Sequence, residues 1–415
     1  MSEVISKSSK HVPLEAARGI AALFVVLHHF FLAFAPNFTG VLQADRVEKS
    51  IVGEWYFAVF NGSAAVYFFF VLSGYVLSIS YLNSRNSVVL AAGILKRVPR
   101  LALPVVLSLV LTVALWKGNL LFYSETSAIT GSAWLASAGF GLMPAGLQPS
   151  YLDAVRQGLT TFFTGERYYN SSIWTMYYEF FGSIFVFALI PMFGSLQTSR
   201  SYLIVAAFIG TLALFVFPNL IPFLVGMSLC VVSHKGRLRV PGYAGFVMLG
   251  IGLYLLGFVE SIKYYAWLSP VEWIWGGAGH SALLLNTLGS ALIVTALVGG
   301  PSVSRALGGR IGLLLGRLSF PIYLVHVPII LSFSCFALVR SLESGLVGWT
   351  ALNVTLAATF VVVLLAALPL AVVDAVWVRM LGWATVLLLG KGPRLSTSSV
   401  AVDPDVSSNT PSRSS

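Results

Sequence analysis

Charge is what this chain has least of. Only 10% of its 415 residues are Asp, Glu, Lys or Arg, while 57% are hydrophobic and the mean hydropathy is +0.86. A soluble domain carries about 25% charged residues, because charge keeps a water-facing surface in solution. A soluble enzyme is thereby excluded. Cysteine is nearly absent. Cys230 and Cys335 both sit in apolar runs, which leaves neither a disulfide framework nor a thiolate metal site. His-x-x-x-His, His-Glu-x-x-His and Cys-x-x-Cys patterns are lacking, so no metal is expected. A Gly-x-Ser-x-Gly elbow, a Walker loop and a dinucleotide fingerprint are lacking too.

What the chain has instead is long apolar runs. A bilayer core of about 30 Å needs roughly 20 apolar residues as helix. Ten stretches qualify, some marginally: 14–35, 64–82, 99–116, 172–193, 202–217, 219–233, 243–259, 281–299, 319–339 and 349–373. All are expected to be helices, because lipid offers no partner to an open backbone amide. The sequence therefore predicts an all-α polytopic membrane protein with the lipid bilayer as its first partner. Residues 1–392 form the membrane-embedded domain. The Ser-, Thr- and Pro-rich segment 393–415 is expected to be a disordered cytoplasmic tail.

The net charge of +10 would suit nucleic acid or anionic lipid. Its distribution gives another reason. With the N-terminus in the cytoplasm, 18 of the 25 Lys and Arg fall on inner segments and 7 on outer ones, as cytoplasmic loops favour. Both termini are then cytoplasmic, and no nucleic-acid partner is needed. The outer loop of about 118–171 exceeds a simple connector, a length often tied to function. Asn37-Phe38-Thr39 and Asn170-Ser171-Ser172 fit the glycosylation triplet and fall outside on this topology. Phe162, Phe163, Tyr168, Tyr169, Trp174, Tyr177 and Tyr178 read as an interfacial aromatic belt, or as a surface on which a sugar ring stacks.

Ionisable residues inside a span are costly and point to function. In the first span, Arg18 and His29 are eleven residues apart, about 1100° of helix, so they share a face with a rise of about 16 Å. His28 turns roughly 80° away. The plainer reading is a snorkelling Arg and a histidine bonded to a neighbouring helix. In the second span, Ser73-Gly74 is a small pair that lets another backbone approach. Arg97 and Arg100 bracket the entry to the third span, where two guanidiniums can grip phosphate or simply anchor the inner face. Glu179 lies about two turns inside the fourth span, and His326 lies about two turns into the ninth. Both need a partner or a task.

Together these motifs resemble the acyltransferase 3 family of membrane O-acyltransferases. The matching elements are Arg18 to His29, Phe69-Phe70-Val71-Leu72-Ser73-Gly74-Tyr75, Arg97-x-x-Arg100, Trp174 to Glu179, and Tyr323-Leu324-x-His326. Glu15 stands where the family more often has Asp, and Ala17 where a bulkier apolar residue is usual. The resemblance implies transfer of an acyl group, usually acetyl from acetyl-CoA as co-substrate, to a hydroxyl of a glycan, glycolipid or other small acceptor. It implies His29 and Arg18 as the essential catalytic pair, with Glu179 orienting an imidazole or binding acceptor hydroxyls. It places Arg97 and Arg100 near the CoA phosphates, with Ser73 and His326 lining the same site. It also favours a bacterial cytoplasmic membrane and modification of exopolysaccharide or a related glycan. The reading from another class is a proton-coupled transporter or sugar flippase, which uses intramembrane Arg, His and Glu equally well. Such carriers often show internal repeats and interrupted helices in matching positions, and none is evident in this chain.

Overall fold

The computed structural model describes residues 12–42, 49–139, 141, 144, 146–196, 198–259, 262–268, 270 and 278–389. The expected tail from 393 onward lies outside the described residues, as does the stretch before Val12. Helices and turns make up the described residues, with no strand among them.

The elements run α1 (Val12–Phe34), α2 (Gly62–Ser84), α3 (Ser87–Lys117), α4 (Tyr123–Thr130), α5 (Ala133–Ala136), α6 (Tyr151–Thr164), α7 (Trp174–Ser195) and α8 (Ser199–Val216). They continue with α9 (Ile221–His234), α10 (Gly242–Leu256), α11 (Ala278–Gly299), α12 (Pro301–Leu307), α13 (Arg310–Ile329), α14 (Cys335–Glu343) and α15 (Gly348–Leu389). A π-helical turn, Ile330–Ser334, joins α13 to α14. Each of the ten apolar stretches falls on a helix. Eight of these helices are long and apolar enough to cross a membrane, and two, Pro218–His234 and Gly242–Leu256, are shorter. The chain is a polytopic all-α membrane protein.

Apolar side chains gain little from meeting one another in lipid, so helix pairs rely on close backbone approach at small residues. Three seams show it. Along α1 and α13, a Cβ added at Gly19 would lie 2.5 Å from the Leu315 backbone, and one at Gly316 would lie 2.7 Å from the Glu15 carbonyl oxygen. Along α2 and α9, Gly74 meets the Phe223 carbonyl and Gly226 meets that of Val71. Along α10 and α11, Gly252 and Gly289 face each other. The Ser73-Gly74 pair thus divides its work: Gly74 admits α9, while Ser73 turns elsewhere.

The long segment after α3 does not stay outside. The Phe122 amide donates to the Leu331 carbonyl at 3.0 Å, and the Ser132 hydroxyl donates to the Leu32 carbonyl at 2.6 Å. These bonds tie α4 and α5 onto the outer ends of α1 and α13. Helix α6 starts beside the outer end of α3, where Lys117 Nζ lies 5.5 Å from the Tyr151 ring centre. It then descends along α3, so that Gly158 abuts Val106, eleven residues and about 16 Å deeper. Its outward stripe of Leu152, Val155, Leu159 and Phe163 is exposed, as a lipid-facing surface requires.

Two expectations are corrected by this descent. Asn170, read as an outside glycosylation acceptor, is 1% exposed and donates to the Leu324 carbonyl at 2.8 Å. The aromatic belt is also broken up: Phe162, Tyr168 and Tyr169 are buried, while Phe163 is exposed. Folding the segment back into the bundle turned a rim into a core. The reason for the Asn170 contact lies in α13. Pro328 lacks the amide that would reach back four residues, which frees the Leu324 carbonyl, and in a bilayer that carbonyl must find another donor.

Replacing Asn170 with Ala should therefore lower stability by about 1–3 kcal/mol, the cost of a stranded buried acceptor. In a Pro328→Ala background the new amide can serve Leu324, so the same substitution should cost less. Thermal unfolding of the four proteins of this double-mutant cycle checks both statements, and equal costs in the two backgrounds would refute the pairing.

Candidate functional site

The seam between α1 and α13 carries three of the polar residues the sequence singled out, Arg18, His29 and His326. At its inner end Arg18 Nε donates to the Ser319 hydroxyl at 2.8 Å. One Arg18 Nη donates to Glu15 at 2.8 Å and to the Gly316 carbonyl at 2.7 Å. The Arg18 side chain stays 34% exposed despite these bonds. Eleven residues up the same face of α1, His29 meets His326 of α13, with 3.1 Å between His29 Nδ1 and His326 Nε2. Arg18 and His29 are both enclosed by protein yet touch solvent.

The protons on the histidine pair follow from their partners, since hydrogens are assigned from the network. His326 Nδ1 lies 2.7 Å from the Tyr323 carbonyl. A carbonyl only accepts, so that nitrogen carries the proton, and neutral His326 presents a bare Nε2. His29 Nδ1 must then donate toward it, and also toward the Val25 carbonyl at 3.0 Å. The proton of neutral His29 is therefore on Nδ1. Its Nε2 keeps a lone pair, which is the configuration of a base. His28 is turned away: its Nδ1 donates to the Phe60 carbonyl at 2.7 Å, with Gly62 packed on its ring. Among the described residues no three His, Cys, Asp or Glu form a metal cage.

Glu179, Ser73 and Arg97 form a second cluster, apart from the histidines. The Ser73 hydroxyl donates to Glu179 Oε1 at 2.7 Å, and Arg97 Nη2 pairs with the same oxygen. Helices α2, α3 and α7 are thus pinned at one point. The pair is buried, with side chains 8% and 14% exposed, respectively. Arg97 Nε finds no partner among the described residues. The arrangement does not bring Glu179 to an imidazole. It also separates the two arginines expected to act together, because Arg97 points inward to Glu179 while Arg100, nearly a turn later, is exposed. Arg100 has no ion-pair partner among the described residues, and its charge interacts with those of Arg18 and Asp374.

Two residues of the site, Ser319 and Trp134, were not singled out in the sequence, and Tyr323 was named there only as part of a motif. Ser319 and Tyr323 belong to the same face of α13. The Tyr323 hydroxyl donates to the Ser172 carbonyl at 2.7 Å and lies 2.9 Å from the Thr175 hydroxyl. Trp134 of α5 places its ring centre 5.2 Å from that of His29. Uncharged residues of this kind carry no intramembrane cost and so give no sequence signal. The freed carbonyl at Leu324, implied by Pro328, was the one available hint to Asn170.

A buried ion pair is expensive to break from one side, since the remaining charge is left without a partner, at about 3–5 kcal/mol. Glu179→Ala should therefore destabilise the fold by that order, and Arg97→Met/Glu179→Leu should cost less than Glu179→Ala alone. Thermal unfolding in detergent checks the ranking, and a double variant less stable than the single one would overturn it.

Comparison with known proteins identifies the family of the chain. No curated protein and no solved structure matches the chain significantly. The family model of the acyltransferase 3 family, described as an acyltransferase domain, matches residues 13–373. That span runs from the first turn of α1 into α15 and takes in both clusters, and by it the chain belongs to the acyltransferase 3 family.

Proposed function

We propose that the chain transfers an acyl group, acetyl from acetyl-CoA, to a hydroxyl of a glycan or glycolipid, with His29 as general base. The observation that carries this reading is the bare Nε2 of His29, set by the Val25 carbonyl and by His326. Membership of a membrane acyltransferase family supplies the reaction class.

The steps follow from the geometry. CoA is a cytoplasmic anion and meets the basic inner end of the bundle, where Arg18 and Arg100 are among the accessible cations. Guanidiniums suit phosphate through paired donors. Arg97 is held by Glu179 and serves instead to fix α3 against α7. The acceptor hydroxyl lies against His29 Nε2, which takes its proton as the oxygen attacks the thioester carbonyl. The imidazolium so formed keeps Nδ1–H on the Val25 carbonyl and His326 Nε2, two acceptors that stabilise the positive ring. The tetrahedral adduct then expels the CoA thiolate, and His29 Nε2 returns the proton to sulfur. His29 stands about 8 Å below the outer end of α1, and Arg18 lies roughly 16 Å deeper on the same face. An extended donor entering from inside spans this interval, and an acceptor from outside has the shorter way. A bacterial cytoplasmic membrane fits this division of substrates.

With purified protein and radiolabelled acetyl-CoA, wild type should bind the label saturably and hydrolyse it slowly. His29→Ala should lower turnover by about 10²–10⁴-fold, the usual worth of a general base, with folded protein retained. Arg100→Ala should weaken binding and leave the turnover of bound donor near wild type. Label retained on His29 would replace direct transfer with an acyl-histidine step. Wild-type turnover in His29→Ala would refute the assignment, and a wild type indifferent to acyl-CoA would favour a carrier of sugar-containing substrates.

A further inference from the structure

An aromatic side chain from the segment after α3 packs beside His29. Trp134 is 2% exposed, and its ring lies 5.2 Å from that of His29 at an interplanar angle of 37°. Among the described residues, the other rings beside His29 are those of His28 and His326. Trp134 belongs to the four-residue helix α5, which is too short to be stable alone. The Ser132 hydroxyl ties it to α1, donating to the Leu32 carbonyl at 2.6 Å, and accepts from the Leu135 amide at 3.2 Å. The chain then reverses through two left-handed residues, Ala138 at φ 49° and Gly139 at φ 71°. The Gly139 amide donates to the Trp134 carbonyl at 2.7 Å. A Cβ at Gly139 would lie 2.9 Å from the indole, so the turn backs the ring directly. Alanine in this backbone region is strained, and such strain marks segments that do more than connect.

A base poised beside a thioester has a competing reaction, because water is also a hydroxyl nucleophile. Sites of this type exclude water until the intended acceptor arrives. We propose that Trp134, carried by α5, is the acceptor-side cover of the His29 site. It keeps water from the donor while the site waits, and it is the surface over which an acceptor's ring enters. The inference rests on the acyltransferase reading for its consequence and on geometry alone for the cover itself. Trp134 is a positioning and specificity residue in this account. Proton transfer remains with His29.

The test uses full-length protein in detergent with two readouts. One is acceptor-free hydrolysis of acetyl-CoA. The other is the rate at which diethyl pyrocarbonate modifies His29, followed by peptide mass spectrometry, which needs no enzymatic activity. Trp134→Ala should raise both by roughly fivefold or more, as opening a closed site to water implies, while Trp134→Phe stays within about twofold of wild type because the ring is kept. Should Trp134→Ala fail to fold, Ser132→Ala loosens the tether instead and should move both readouts in the same direction. His29 modified at the wild-type rate in Trp134→Ala would overturn the cover. Faster modification with hydrolysis unchanged in an active protein would overturn water exclusion. If wild type neither hydrolyses nor binds acetyl-CoA, the acyltransferase reading fails, and the modification rates still decide the cover.

Discussion

The backbone-to-backbone contact of α1 and α13 is the constraint on which the site depends. Glycines 19 and 316 remove the side chains that would hold the two helices apart. At that separation Arg18 reaches Ser319 and the Gly316 carbonyl, and His29 reaches His326. None of these bonds spans a normal helix–helix gap filled by leucines. In lipid, where apolar side chains have no water to escape, such shape matching is the available source of association energy. Fold and chemistry therefore draw on the same glycines.

The two ends of that seam differ in electrostatic character. At the inner end, Arg18 is tied by Glu15 and yet stays partly open, with Arg100 and Asp374 within its field. At the outer end the histidine pair is satisfied by backbone carbonyls and by itself, with no carboxylate attached. On the proposed reaction, the donor's phosphates belong at the first end and the acceptor's hydroxyl at the second. Arg97, Glu179 and Ser73 form a separate group that holds three helices together. Proline adds a further layer. Pro328 opens the Leu324 carbonyl, and Asn170 fills it from a segment that would otherwise be a surface loop.

Much of the fold was legible because the bilayer leaves few options. The ten apolar stretches became helices, and the eleven-residue spacing from Arg18 to His29 put both on the α13 side of α1. Ionisable groups stood out against lipid-facing sequence. What the sequence did not convey was which of them would pair with each other. Glu179 went to Arg97 and Ser73 rather than to an imidazole, since helix neighbours are set by long-range packing that spacing within one helix does not encode. The segment 118–171 was recognised as too long for a connector, but its descent was not, because Phe162, Phe163, Tyr168 and Tyr169 were read as part of a rim. Trp134 carried no signal at all: an aromatic near a membrane surface is ordinary until its neighbour is known.

The bond between Asn170 and Leu324 also fixes an order of events during synthesis. Residues 151–173 emerge early, while their partner carbonyl belongs to the ninth apolar helix, more than a hundred residues later. Helix α6 can already pack on α3 through Gly158 and Val106, but until α13 arrives the Asn170 amide lacks the Leu324 carbonyl, and Ser172 and Thr175 lack the Tyr323 hydroxyl. Helix α1, the first to insert, waits as well. The half-built protein holds His29 from the start, with its Nδ1 proton on the Val25 carbonyl of the same helix. Its second acceptor, His326, is gained in one late step, so a chain stalled before α13 sits in the membrane with half of that histidine pair.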